Sequence, residues 1–282
     1  MKTPLPYYGG KSTLAHLIVQ LIPDHNLYVE PFCGGASVFF EKQPSAVEVI
    51  NDMNREVINF YRQCQLDFVS LEKEVRISLH SRSAHADAQV VNKNPHLFND
   101  VKRAWAVWVL AVQSFSSMQD GSWGMDRKKN TTSKKIANKR DGFTEDFAIR
   151  LQHVQVECTD AIRIIRSRDG AETFVYADPP YYNSDCGPYS GYTLENYELL
   201  LKTLNEMEGK FLLSSYPSPI LSQFVKEKGW WQAERVMTVS VANNSPKPRK
   251  TKVEVLTANY DISKAAELGF TLSNAPQLTL EL

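Results

Sequence analysis

The sequence lacks the patterns that are typical of membrane, secreted or metal-binding proteins. None of its 282 residues belongs to an apolar run of 18 or more, the length that a membrane-spanning helix needs, and no apolar signal core follows Met1. The four cysteines, Cys33, Cys64, Cys158 and Cys186, show no CxxC spacing, and the six histidines form no HExxH pattern. Neither a zinc site nor a disulfide framework is therefore expected. We expect a soluble, cytoplasmic protein with reduced thiols and no metal.

The chain also lacks an excess of charge of either sign, because 32 basic residues balance 32 acidic ones. Binding to a polyanion would have to depend on local clusters. One basic cluster lies between residues 120 and 142, and a second lies between residues 247 and 252. A solvated, charged loop is the alternative interpretation of the first cluster. The candidates for phosphate contacts are Arg127, Lys128, Lys129, Lys134, Lys135, Arg140, Lys247, Arg249 and Lys250.

Strand-like and helix-like segments alternate in the first 62 residues and again from about residue 148 onward. The predicted strands cover residues 27–32, 46–50, 154–157, 173–177 and 210–215, followed by a final pair at 233–242 and 252–260. The predicted helices between them cover residues 14–21, 36–42, 54–61, 161–166, 193–208 and 218–228. Alternation at this short spacing predicts an α/β fold with a doubly wound, mostly parallel sheet. The final strand pair would add an antiparallel hairpin at the C-terminal end.

Residues 63–147 interrupt this alternation. Two long helical patterns, at roughly 67–91 and 96–117, precede a polar, basic stretch that is rich in Ser, Thr, Asn and Gly. We interpret residues 63–147 as an inserted, mainly helical domain. Residues 1–62 and 148–282 would then form one α/β domain.

The strongest chemical signal is the sequence DPPY, residues 178–181, directly after an apolar strand. This position places the Asp178 carboxylate, the rigid Pro179-Pro180 step and the Tyr181 ring at the carboxyl edge of a parallel sheet, where open α/β folds bind ligands. Asp178 and a backbone carbonyl of the Pro-Pro step could accept both hydrogens of an exocyclic amine on a base, while Tyr181 stacks on the ring. A turn without a chemical role is the alternative.

A second signal is the loop EPFCGGAS, residues 30–37, at the end of the first strand. Its glycines would allow a ligand to approach the backbone closely, although the loop does not have the GxGxxG spacing of a dinucleotide site. Asp52 lies at the end of the second strand, where an acidic side chain can bind ribose hydroxyls. Packing alone could explain the glycines, and helix capping could explain Asp52.

Taken together, these segments resemble the S-adenosylmethionine-dependent DNA adenine-N6 methyltransferases of the Dam-like (D12 class) family. YYGGK, residues 7–11, is similar to the N-terminal motif of the family, and residues 30–39 are similar to its cofactor loop. Residues 51–54 are similar to the strand end that binds the ribose, and residues 178–181 match the DPPY motif. Ala36 stands where relatives often carry a third glycine. The order of the motifs, with an insertion before DPPY, also matches. The resemblance implies a Rossmann-like methyltransferase sheet and a target-recognition role for residues 63–147.

The resemblance also implies a role for each matching residue. Glu30 would bind the methionine amino group, Asp52 the ribose hydroxyls and Asp160 the adenine of the cofactor. Asp178, Pro179, Pro180 and Tyr181 would form the catalytic motif around a flipped-out adenine. Lys11 would contact the cofactor or the DNA near the target base, and the two basic clusters would contact phosphates. The implied cofactor contacts are Tyr7, Lys11, Glu30, Phe32, Gly34, Gly35, Asp52, Asp160 and Asp178.

The alternatives keep the fold but change the substrate or the activity. One is a methyltransferase for RNA bases or for a protein glutamine, although related glutamine-modifying enzymes carry Asn at the position of Asp178, and rRNA guanine enzymes tend to carry Phe at the position of Tyr181. Another is a DNA-binding module without catalysis. Duplex DNA is the expected partner, in a bacterial cell or a phage-infected host, and a cognate restriction endonuclease is a further candidate partner.

Overall fold

The computed structural model describes residues 1–118, 120–182, 191–238 and 251–275. None of the helices in these ranges has the length and apolar character needed to cross a membrane. The helices are α1 (Ala15–Ile18), α2 (Ser37–Glu41), α3 (Arg55–Leu66), α4 (Phe68–Arg76), α5 (Arg82–Lys93), α6 (Asp100–Gln113), α7 (Thr131–Asp141), α8 (Asp146–Leu151), α9 (Ala161–Arg168), α10 (Leu194–Glu206) and α11 (Pro219–Lys228). The strands are β1 (Leu27–Glu30), β2 (Val47–Asn51), β3 (Gln155–Glu157), β4 (Thr173–Ala177), β5 (Lys210–Ser215), β6 (Trp231–Thr238), β7 (Thr251–Ala258) and β8 (Thr271–Asn274).

The chain divides into two compact units. Unit 1 comprises Met1–Val19 and Phe32–Ala161, and unit 2 comprises Gln20–Pro31 and Ile162–Leu282. In unit 1, β2 and β3 pair in parallel, with Val49 opposite Gln155. The predicted insertion at 63–147 lies within unit 1 and contains α4 to α7. Its status as a separate target-recognition domain stays a prediction.

Six strands of unit 2 lie in the order β1-β4-β5-β7-β6-β8. The β1/β4 and β4/β5 pairs are parallel, whereas the β5/β7, β6/β7 and β6/β8 pairs are antiparallel. All five residues of β4 are buried, as expected for an apolar strand covered on both faces. The predicted α/β fold, with a mostly parallel sheet and a C-terminal antiparallel hairpin, is therefore confirmed, and β8 is an additional strand.

The first of the two long helical patterns in unit 1 is interrupted in the structure, and the second is shorter than its apolar spacing predicts. The pattern over 67–91 is divided between α4 and α5, because the Ser78 hydroxyl donates to the Glu74 carbonyl at 2.8 Å and the Ser81 side chain caps α5 at the Ala84 N–H. The pattern over 96–117 becomes α6, which begins after its N-cap Asn99. Side-chain hydrogen bonds to the backbone thus set these boundaries.

A buried ion cluster joins the ends of three segments of unit 1. Glu48 of β2 accepts from Lys42 Nζ at 2.6 Å and from Arg150 Nη2 at 2.9 Å, and all three side chains are at most 9% exposed. Burial would raise the pKa of Glu48, but hydrogen bonds from Arg150 and Lys42 more than offset that effect, and the pKa is lowered. Glu48 therefore remains ionised in the interior.

Candidate functional site

The glycine loop of unit 1 follows Phe32 and is held by hydrogen bonds from outside the loop. The Gly34 N–H donates to Asp52 Oδ2 at 2.9 Å, and the Gly34 carbonyl accepts from the Tyr61 hydroxyl at 2.8 Å. The other carboxylate oxygen, Asp52 Oδ1, accepts from the N–H of Asn54 at 2.8 Å. Asp52, which follows β2, therefore ties the loop to the start of α3.

Close approach and unusual backbone angles explain the small residues of this loop. Gly34 has φ 45° and Ala36 has φ 48°, a left-handed conformation that costs a residue with a Cβ atom about 1 kcal/mol or more. A Cβ atom on Gly34 would lie 2.9 Å from Tyr7 Cδ1, and one on Gly35 would lie 2.6 Å from the Leu5 carbonyl oxygen. The structure thus brings Tyr7 against the two loop glycines that the sequence analysis selected.

Asp160 lies exposed at the end of β3, close to a hydrogen-bonded clamp between two strand ends. Asn51 Nδ2 donates to the Thr159 carbonyl at 3.0 Å, and the Thr159 N–H donates to Asn51 Oδ1 at 2.9 Å. Asn51 is the last residue of β2 and precedes Asp52. Because β2 and β3 are parallel, both acids lie at the same edge of unit 1, where α/β folds bind ligands.

The remaining predicted site residues of unit 1 differ in burial. Phe32 is half-buried. Lys11 is buried, and its ammonium donates to the Gly9 carbonyl at 3.3 Å, so its contacts with cofactor or DNA stay predictions. Burial raises the pKa of Asp52 above its ordinary value, against its two backbone hydrogen bonds, which lower it. The Asp52 carboxylate therefore lies where a hydrogen-bonding ligand would compensate for the loss of water.

The DPPY segment of unit 2 directly follows the buried strand β4. Pro179 is buried, whereas Asp178, Pro180 and Tyr181 are half-buried. The Tyr181 hydroxyl lies 3.2 Å from Asp178 Oδ1. The centroid of the Tyr181 ring lies 4.1 Å from that of Tyr216, with the rings tilted by 49°. The segment thus places a carboxylate and an aromatic ring together at the carboxyl end of β4.

A second carboxylate, Glu254 of β7, contacts this segment. Its side chain is fully buried. Glu254 Oε1 accepts from the Tyr181 hydroxyl at 2.7 Å and from Ser214 Oγ, on the neighbouring β5, at 2.7 Å. Glu254 Oε2 lies 3.6 Å from Lys252 Nζ. The antiparallel β5/β7 pair therefore fixes a negative charge against the aromatic residue of the motif.

Two tyrosines near these carboxylates remain protonated. Burial, followed by the negative charge of Asp178, raises the pKa of both Tyr176 and Tyr181 well above its ordinary value. The charge of Glu254 adds to the effect at both residues, and that of Glu30 adds to it at Tyr176. Each hydroxyl is therefore a hydrogen-bond donor at neutral pH.

Glu30 is the last residue of β1 and is buried. Its Oε2 accepts from the Tyr28 hydroxyl at 2.7 Å within unit 2. A buried carboxylate has a high desolvation cost, which a cationic ligand group reduces. A cationic group is the kind of ligand that this carboxylate would favour, and its contact with a methionine ammonium stays a prediction.

The first basic cluster is largely exposed in unit 1. Three of its lysines lie on α7, and Arg140 Nε pairs with Asp141 Oδ1 at 3.1 Å. The second cluster, with Lys247, Arg249 and Lys250, lies outside the described residues. The exposed members of the first cluster are Arg127, Lys128, Lys129, Lys134 and Lys135.

Some residues that support the predicted ones are not marked by any motif of the sequence. Tyr61 and Tyr216 are aromatic residues with no local pattern that separates them from core residues. Glu254 had a detectable signal, since it is an acid between Val253 and Val255 in an otherwise apolar strand segment. A charge at a buried strand position favours a functional interpretation, because unpaired buried charges are costly.

Comparison with known proteins identifies the family. Over 279 aligned residues, the chain is 25% identical to the Type II methyltransferase M1.LlaDCHI of Lactococcus lactis subsp. cremoris, covering 89% of this chain and 93% of the relative. It is 24% identical to the Type II methyltransferase M.MjaIII of Methanocaldococcus jannaschii, covering 92% and 99%. It is also 26% identical to the Type II methyltransferase M.FokI of Planomicrobium okeanokoites, covering 64% of this chain and 29% of that longer relative. The family model for D12 class N6 adenine-specific DNA methyltransferases matches residues 7–240, and the chain therefore belongs to this family of adenine-specific DNA methyltransferases.

Proposed function

We propose that this chain transfers a methyl group from S-adenosylmethionine to N6 of an adenine that is flipped out of duplex DNA at a specific sequence. The observation that supports this most directly is the cluster at the end of β4, where Asp178 and the protonated Tyr181 lie together. Family membership supplies the reaction class. The recognition sequence is left open.

The donor chemistry of the described residues fits this cofactor. In unit 1, the Asp52 carboxylate beside the glycine loop suits ribose hydroxyls, and Tyr7, Lys11, Phe32, Gly34, Gly35 and Asp160 complete the proposed contacts of that unit. In unit 2, the buried Glu30 carboxylate suits the methionine ammonium, and Asp178 is the other proposed contact. When bound, S-adenosylmethionine supplies a methyl group that is already activated on a sulfonium sulfur.

In the proposed reaction, the chain's residues orient the target amine. The N6 lone pair of adenine is delocalised into the ring, so the amine is a weak nucleophile. Asp178 would accept one amino hydrogen and a backbone carbonyl of the Pro179-Pro180 step would accept the other, which localises the lone pair on nitrogen. The Tyr181 ring would stack on the flipped base and offset part of the cost of unstacking it. Methyl transfer would form the N–C bond and break the S–C bond, with the S–C electron pair left on sulfur, and the surplus amine proton would be released to solvent.

The exposed basic residues of unit 1 support binding to a polyanion. Lys134 and Lys135 lie on α7 with their side chains exposed, and contacts to phosphates would release counterions. We assign the phosphate contacts to this cluster and to Lys247, Arg249 and Lys250. Since relatives are named Type II methyltransferases, a restriction endonuclease with the same recognition sequence is the proposed protein partner. Such an enzyme would act in the cytoplasm of a bacterial cell or a phage-infected host.

The test of this function combines product analysis with an Asp178→Ala variant. Wild-type protein is incubated with labelled S-adenosylmethionine and a heterogeneous duplex DNA, and the nucleosides are then separated. We expect N6-methyladenine confined to one short sequence. Asp178→Ala should abolish transfer and leave cofactor affinity within about threefold, because the cofactor's other contacts remain. Asp261→Ala, which removes an exposed acid of unit 2, is the matched control and should remain active.

Two results would contradict the proposal. Transfer to DNA by Asp178→Ala at the wild-type rate would remove Asp178 from the reaction. Label in RNA or in a protein, with none in DNA, would show that the substrate is an RNA base or a glutamine amide. Mapping the modified positions on the same DNA would supply the recognition sequence.

A further inference from the structure

The hydroxyl of Tyr181 lies between two carboxylates and has only one hydrogen to donate. Glu254 Oε1 lies 2.7 Å from the hydroxyl oxygen, and Asp178 Oδ1 lies 3.2 Å from it. Hydrogen bonds between O–H donors and carboxylates are strongest at about 2.5–2.7 Å and weaken beyond about 3 Å. The hydrogen is therefore directed to Glu254.

We propose that Glu254 is a positioning residue that takes the Tyr181 hydrogen and thereby reserves the Asp178 carboxylate for the amino group of the target base. The inference rests on the proposed function, in which Asp178 accepts a hydrogen from the adenine amine. It adds a residue outside the DPPY motif, on β7, that acts through Tyr181.

The surroundings of Glu254 suit this role. Its side chain is fully buried, and Ser214 Oγ donates to the same Oε1 atom at 2.7 Å. Lys252 Nζ lies 3.6 Å from the other oxygen and partly balances its charge. The β5/β7 pairing places Ser214 opposite Leu256, two residues from Glu254, so the strands hold the acceptor in one place. An acceptor fixed in this way needs no rearrangement when substrate binds.

Removing the acceptor would redirect the hydroxyl. Tyr181 stays protonated because burial and the nearby carboxylates raise its pKa. Without Glu254, its hydrogen would turn to Asp178 Oδ1, the other carboxylate oxygen within reach. The target amine would then compete with Tyr181 for Asp178. Loss of Glu254 should consequently harm methyl transfer more than loss of the Tyr181 hydroxyl does.

The experiment compares four proteins: wild type, Glu254→Met, Tyr181→Phe and the double variant. Methionine fills similar volume without an acceptor for the hydroxyl. The measurements are the single-turnover methyl-transfer rate on duplex DNA at saturating S-adenosylmethionine, the cofactor Kd and the melting temperature. We expect Glu254→Met to slow transfer by about 10- to 100-fold, the range for a lost hydrogen bond to a charged group. Tyr181→Phe retains the stacking ring but loses the hydroxyl, so it should slow transfer by a smaller factor than Glu254→Met does, and cofactor Kd should change little in all variants.

The double variant decides the question, because it has no hydroxyl to compete for Asp178. Adding Tyr181→Phe to Glu254→Met should restore the rate to that of Tyr181→Phe alone. A residue that merely supports the fold would give a double variant as slow as Glu254→Met or slower, and that result would overturn the proposal. Equal rates for wild type and Glu254→Met would overturn it as well.

A near-isosteric variant keeps the test decisive if Glu254→Met does not fold. Glu254→Gln keeps an oxygen at the same place, but a neutral amide is a weaker acceptor than the Asp178 carboxylate. We expect Glu254→Gln to slow transfer less than Glu254→Met does, and we expect Tyr181→Phe to restore the rate in the same way. If Tyr181→Phe did not restore the rate, that result would again contradict the inference. Failure of the proposed function has a different signature, which is full activity of Asp178→Ala.

Discussion

Replacing Asp52 with asparagine should weaken cofactor binding by loosening the glycine loop of unit 1. The two carboxylate oxygens accept from the N–H groups of Gly34 and Asn54 at 2.9 and 2.8 Å. Asparagine has one acceptor oxygen, so one of these N–H groups would face an amide NH2 group. A lost hydrogen bond to a charged group costs about 1.5–3 kcal/mol. Burial disfavours the Asp52 charge and raises its pKa. Removing that charge therefore also removes its desolvation cost, which offsets part of the lost hydrogen-bond energy. We expect a net loss of about 1–2 kcal/mol, or roughly 5- to 30-fold in cofactor Kd.

Calorimetric titration with S-adenosylmethionine, together with thermal unfolding, would measure this loss. The control is Asp67→Asn, which removes an exposed charge in the same unit, where Asp67 caps α4 by accepting from the Ser70 N–H at 3.3 Å. Since asparagine caps helices about as well as aspartate, neither cofactor Kd nor melting temperature should change in the control. An Asp52→Asn protein with both wild-type affinity and wild-type melting would refute the reasoning, because the loop would then not depend on the carboxylate.

Two further variants test the interior and the surface of unit 1. Arg150→Met leaves Glu48 with Lys42 as its remaining cationic partner and should lower the free energy of unfolding by about 3 kcal/mol at pH 7, as denaturant titration would measure. The lowered pKa of Glu48 means that its contribution is present above pH 4.5 and is lost as pH falls through the folded-state pKa. The difference from wild type should accordingly shrink in acid, and a constant difference would contradict the assignment. Replacing both Lys134 and Lys135 with alanine should reduce the slope of log DNA affinity against log salt by about 2 in a titration, and an unchanged slope would remove them from the interface.

The spacing of apolar residues predicted the helices and strands whose residues are buried in a regular pattern. The apolar run that became β4 and the alternating strands of the final hairpin correspond to the observed sheet. The segment that became α7 was interpreted only as a polar stretch, because the helix buries Ile136 and almost nothing else, and a helix without an apolar stripe has no periodic signal. Likewise, β8 is a short strand of exposed and half-buried residues at the edge of the sheet.

The positions of the candidate site residues were predictable where these residues lie in contiguous motifs at strand ends. DPPY follows β4, and Asp52 follows β2, as expected from the rule that ligands bind at the carboxyl edge of such sheets. The contact between Tyr181 and Glu254 joins residues 73 positions apart in the sequence. No local pattern contains that pairing, because it arises only when β7 is placed beside β5. Residues that hold a motif in place, such as Glu254, therefore cannot be found from sequence spacing, because only the folded chain brings them next to the motif.

Ala36 has a backbone conformation in the glycine loop that is unusual for a residue with a Cβ atom. It adopts the left-handed conformation, φ 48° and ψ 39°, that favours glycine, the residue that the family resemblance leads one to expect at this position. Such backbone strain persists only where the surroundings impose it. Here the Thr3 hydroxyl donates to the Gly35 carbonyl, while Asp52 and Tyr61 bind the N–H and the carbonyl of Gly34. These contacts fix the backbone directly before Ala36. Since they come from three distant segments of unit 1, substitution of the third glycine does not by itself imply a different loop conformation.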